Sequence, residues 1–137
     1  MSNVSPQMKE AIEFHDSEVQ LAEGTSNVFR IVFSSAYVHR SVGQPGIDAG
    51  AGYTQQAELT FTSATWSKSS LPIVGKLSGG FLMLGGKKHS LIPLPLSVSG
   101  KIEAELVFVS GAVLSISASS VSCKFISEAH FVENYAG

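Results

Sequence analysis

The chain has 137 residues, 44% hydrophobic and 15% charged, which suits one domain over residues 1–137 with a proper core and argues against a disordered chain. Nine basic residues stand against eleven acidic ones for a net charge of −2. They are scattered, with Lys87-Lys88 the only doublet, so the concentrated basic face that nucleic acid demands is missing. The single cysteine, Cys123, cannot form an intramolecular disulfide, and the polar start, Met1 to Glu10, has no signal-like apolar stretch. No run of about 18 apolar residues offers a membrane-spanning helix, so the expected location is the cytoplasm.

In chain order, residues 5–12 carry the best helical signal, with Pro6 in a first turn after a Ser5 cap. From there the apolar period is two. In residues 27–40, Phe29, Ile31, Phe33 and Tyr37 share one face, and Val28, Val32, Ala36 and Val38 the other. Apolar residues on both faces predict a central strand covered twice, or one that bends between layers. Residues 42–52, with Gly43, Pro45, Gly46, Gly50 and Gly52, read as a flexible loop. Residues 54–66 read as one long strand, with Leu59 and Phe61 inward. Residues 77–84 and 90–94 predict a hairpin around Gly85-Gly86-Lys87-Lys88, and Pro93 and Pro95 mark an edge or a crossing. In residues 101–109, Ile102, Ala104, Leu106 and Phe108 alternate with a wet face. Leu114 and Ile116 then pair, Ser119-Ser120 shifts the parity, and Val121, Cys123 and Phe125 share a face. Residues 130–135 form the last strand. The expected fold is all-β: an antiparallel β-sandwich or partly closed barrel of about 8–10 strands, with at most a short N-terminal helix.

Candidate chemistry gathers at the two ends. In Ile12-Glu13-Phe14-His15-Asp16-Ser17, His15 and Asp16 are adjacent, and neighbours in a strand diverge unless a turn intervenes. The residues predict a strand end whose turn is capped by Asp16 or Ser17. Near the C-terminus, Glu128 and His130 share a strand face and Glu133 lies opposite. His15, Asp16, Glu128 and His130 are the candidate ligand-binding set. Their spacing fits no known metal pattern, so no metal and no cofactor is expected. Cys123 reads as a buried small apolar residue rather than a nucleophile. Gly79-Gly80 and Gly85-Gly86 read as hairpin glycines, because the Gly-Lys-Ser/Thr ending of a phosphate loop is missing. Trp66 fits a core or sheet-edge position better than a stacking platform.

The Ile-x-Phe-His-Asp-Ser string, with the ending Phe125 to Tyr135, resembles a group of small bacterial all-β proteins of unassigned function. The matched positions are Phe14, His15, Asp16, Ser17, Glu128 and Glu133. The resemblance covers the two ends of the chain, implies a compact β fold and brings no activity with it. The expected function is a non-enzymatic binding or interaction module that takes a protein or small ligand on a β face or the glycine-rich loop. Two alternatives follow. One is a structural β protein self-associating into a homo-oligomer through edge strands. The other is a metal- or acid/base-dependent hydrolase using His15, Asp16, Glu128 and His130.

Overall fold

Period-two alternation over most of the chain makes strands the only elements that bury the apolar residues on one side. The computed structural model describes residues 8–136. Among them are ten strands and no helix: β1 (Lys9–Thr25), β2 (Val28–Ser41), β3 (Gly50–Thr62), β4 (Thr65–Lys68), β5 (Gly75–Leu84), β6 (Lys87–His89), β7 (Leu91–Leu94), β8 (Ser97–Phe108), β9 (Val113–Phe125) and β10 (His130–Tyr135). No helix of the described residues is long and apolar enough to cross a membrane.

All pairings are antiparallel, and six strands close into a ring in the order β3-β2-β1-β5-β8-β9. The closing ladder runs from Ala57 opposite Phe125 to Thr62 opposite Ser120. Strands β4, β6, β7 and β10 lie outside the ring, on β9, β5, β1 and β3 respectively. The architecture is therefore the barrel form of the expected all-β fold. Its interior is filled. Phe14, Phe29, Phe33, Phe61 and Phe108 are each under 2% exposed, together with Ile12, Ile31, Leu59, Leu82, Ile92, Ile102 and Leu106. Each such side chain contributes about 1.5–3 kcal/mol by leaving water, and the packed interior puts any ligand on the outer wall.

Several local expectations need correction. Residues 9–12 of the expected helix are strand, because Glu10, Ala11 and Ile12 are held between Arg40, His39 and Val38 of β2 and Leu94, Pro93 and Ile92 of β7. Two ladders outweigh a weak local cap signal, and residues 5–7 lie outside the described residues. The expected strand over 54–66 is two strands, β3 and β4, split at Ser63, whose φ is 48°. The hairpin turns at Gly85-Gly86, both at positive φ, but its return strand is β6, while β7 leaves to pair with β1. That placement leaves Pro93 on a strand outside the ring, as a residue without an N–H requires. Gly50 and Gly52 belong to β3 rather than to a loop.

The two apolar faces of β2 have a simple origin. Pairing with β3 slips between Phe33 and Ala36. Phe29, Ile31 and Phe33 face the interior before the slip, and Ala36 and Val38 after it. Tyr37 is thereby turned to the wall opposite Phe33, and His39 with it.

Candidate functional site

The outer wall across β1, β2, β3 and β10 carries the polar groups of interest. They begin at an irregularity in β1. Glu13 stands opposite Tyr37, whereas Glu18 stands opposite Ser35, so five steps along β1 match two along β2. The surplus residues bulge outward. Asp16 takes a φ of 76°, a conformation that Asp tolerates better than most side chains. Ser17, fully buried, fastens the base of the bulge: its Oγ donates to the Glu13 carbonyl at 2.6 Å and accepts the Tyr37 N–H at 2.9 Å. The sequence reading of a capped turn holds for Ser17, but the turn is a bulge inside a strand rather than a strand end.

This bend brings together side chains that a straight strand would separate. His15 Nδ1 lies 3.4 Å from Asp16 Oδ2 and 4.0 Å from Glu13 Oε2. One ligand atom from each of Glu13, His15 and Asp16 falls within 4.8 Å of the others, a spacing that fits a shared cation. His15 and Asp16 are exposed, and Glu13 is half-buried. A cleft of about 440 Å³ opens on one side of His15, bordered by Asp16, Glu18, Lys76 and Ser78. Another of about 350 Å³ opens on the other side, bordered by Glu13, Gly79, Gly80 and Ser90. Both exist because β7 pairs with β1 only over Glu10–Glu13 and β5 only at Glu18 and Val19. The stretch between has no ladder on that side.

Glu13 also links the bulge to a second cluster. Its Oε1 lies 3.3 Å from Nε2 of His39, a residue only 6% exposed. The His39 ring packs edge-on to Tyr37, at 5.1 Å between centroids, and tilted against Tyr135, at 5.2 Å. Tyr37 Oη donates to Glu133 Oε1 at 2.6 Å, Tyr135 Oη donates to the same oxygen at 3.1 Å, and the two hydroxyls touch. These groups meet over Gly52, where a Cβ would overlap the Tyr37 hydroxyl. Burial pushes the Tyr37 phenol well above its usual range, reinforced by the bond to Glu133, and burial raises Tyr135 as well. The hydrogen bonds from Tyr37 and then Tyr135 hold the Glu133 carboxyl below its ordinary value.

Glu133 reaches this cluster because β10 bulges too. Phe131 stands opposite Tyr53 and Glu133 opposite Gly52, so the strand uses two steps against one of β3. The expectation that Glu133 lies on the face opposite His130 is therefore overturned: both sit on the Tyr37 wall. His130, exposed and opposite Thr54, borders a separate cleft of about 370 Å³ with Ser34, Ser35, Gln55 and Ser127. Gln55 Nε2 donates to the Ser127 carbonyl at 2.7 Å. Glu128 is exposed in the β9–β10 turn, where its carbonyl accepts from Ser127 Oγ. Of the four candidate residues, His15 and Asp16 come together. Among the described residues no hydrogen bond or ion pair joins them to Glu128 or His130. Cys123 is partly buried, and burial raises its thiol to about 11.

Glu13, Tyr37, His39 and Tyr135 do not stand out in the sequence as site residues. A usable signal existed: Glu13 and His15, and Tyr37 and His39, are spaced by two and so share a face within each strand. No protein family, no curated protein and no solved structure matches the chain.

Proposed function

We propose that this barrel is a non-enzymatic binding module that takes its ligand on the outer wall at the β1 bulge. The observation that carries the reading is the convergence of Glu13 and Asp16 on His15, between two clefts, on a barrel whose interior is filled. Two carboxylates and an imidazole favour a ligand that is cationic or rich in hydrogen-bond donors, such as an amine, a guanidine or a short basic peptide. The groups nearest to nucleophiles support binding over covalent chemistry. Ser17 Oγ is engaged on both its donor and acceptor sides, and the Cys123 thiol is held protonated at neutral pH.

The test is amide chemical-shift mapping with small amines, guanidines and short basic peptides. Shifts are expected at residues 13–18 of β1 and 76–80 of β5, and Asp16→Asn should weaken binding about tenfold, the loss of one charge-assisted contact. Ligands that bind elsewhere on the barrel, or a full panel that binds nowhere, would sink the reading.

A further inference from the structure

Beyond the bulge, we propose that Tyr37, Glu133, Tyr135 and His39 form a binding site for a hard trivalent cation of the ferric class. Three oxygens converge there. Tyr37 Oη and Tyr135 Oη lie 2.6 and 3.1 Å from Glu133 Oε1 and touch each other. A carboxylate with two phenols is an oxygen set suited to a hard, strongly Lewis-acidic ion, because coordination must displace phenolic protons.

An independent observation adds an unpartnered nitrogen on a ring packed against both phenols. His39 is more than nine-tenths buried, and its Nδ1 has no hydrogen-bond partner. Its other nitrogen, Nε2, faces the Glu13 carboxylate at 3.3 Å. A carboxylate accepts only, so Nε2 is the donor in that contact, and the tautomer with its proton on Nε2 has a lone pair on Nδ1. A carboxylate behind one imidazole nitrogen, with the other nitrogen free, is the usual arrangement behind a metal-ligating histidine. The ring is wedged between the two phenols whose oxygens form the rest of the set. The Tyr37 hydroxyl rests against the bare backbone of Gly52, where any Cβ would push it out of the cluster.

The proton balance is simple. Glu133 binds as the carboxylate it already is. Tyr37 and Tyr135 each release one phenolic proton to solvent, His39 binds through its lone pair, and no electron moves. The site differs from the Glu13/His15/Asp16 group, whose carboxylates and exposed imidazole suit a divalent ion or a cationic ligand.

The experiment adds ferric nitrilotriacetate to the full-length protein and follows visible absorption, since a tyrosinate on ferric iron gives a charge-transfer band. We expect one equivalent to develop the band in the wild type and in Tyr53→Phe, whose phenol lies outside the cluster. Tyr135→Phe, Tyr37→Phe and Glu133→Gln should each weaken uptake by at least about tenfold, the smallest loss usual even for an outer-shell partner. Far-ultraviolet circular dichroism checks that each variant folds. Tyr135→Phe, on a strand outside the ring, carries the test should Tyr37→Phe unfold. No band with folded wild type, or a band that survives in folded Tyr135→Phe and Glu133→Gln, overturns the proposal and leaves the cluster a hydrogen-bonded fastening of β10. Zinc is titrated in parallel. Zinc-induced amide shifts at Glu13 to Asp16 without a ferric band would sink this site while leaving the bulge reading intact.

Discussion

Ser17 carries more of the bulge than the ionisable residues beside it. Its hydroxyl replaces a strand partner twice, donating to the Glu13 carbonyl and accepting from the Tyr37 N–H. The backbone of β1 has looped away there, so the Tyr37 amide depends on that one oxygen in a buried setting. Ser17→Ala keeps the side-chain volume nearly unchanged but orphans a buried donor, a loss of about 1–3 kcal/mol. The expected result is a lower urea midpoint with an unchanged slope, together with weaker ligand response at His15 as the bulge loosens. A variant as stable as the wild type would mean that water takes over the hydroxyl's role. Ser17 was legible in the sequence as turn chemistry. Its effect on His15 and Asp16 was not, because the angle between neighbouring side chains depends on the φ of Asp16, which a tertiary slip against β2 imposes.

Strand β10 shows what an added strand contributes at the scale of elements. Among the described residues it pairs only with β3, and the ring closes without it through β9. It is fastened by its ladder and by the Tyr37–Glu133–Tyr135 bonds. Removing residues 127–137 should therefore leave a folded barrel. The loss, on the order of 2–5 kcal/mol, combines the burial of Tyr135 with a few ladder bonds. Circular dichroism should keep its β signal and the unfolding transition should stay cooperative. A truncated chain with neither would show that β10 is needed for closure. Elements of this kind are where the sequence was most and least readable. The one-sided strand β8 was read correctly, since Ile102, Ala104, Leu106 and Phe108 are all buried. The last strand was also found, but its bulge was invisible. An extra residue at Val132 changes which face Glu133 uses without changing the composition of the segment. Similarly, β6 is hidden because Lys87-Lys88 beside Gly85-Gly86 look like turn, which makes residues 90–94 the apparent return strand until β1 claims them as β7. Pairing choices among non-local strands are decided by the whole core, and local periodicity does not contain them.

The closed ring makes the core a single unit. Its five fully buried phenylalanines come from β1, β2, β3 and β8, and closure pairs Leu59 with Cys123 far along the chain. No subset of strands can bury its inward face before those distant segments meet, so folding belongs to the slow range of about milliseconds to seconds that non-local β topologies show. The same dependence predicts how damage spreads. Phe61 lies on β3 in the closing ladder, opposite Val121 on one side and Phe29 on the other. Phe61→Ala should cost about 3–5 kcal/mol through lost burial and the cavity left behind. In a closed ring that loss lowers the stability of every strand whose amides exchange only through global opening. Hydrogen exchange should accelerate by the same factor in β2, β5 and β8 as in β3 and β9. Acceleration confined to β3 and β9 would mean that the seam opens by itself, and that the barrel behaves as a curled sheet with a separable edge.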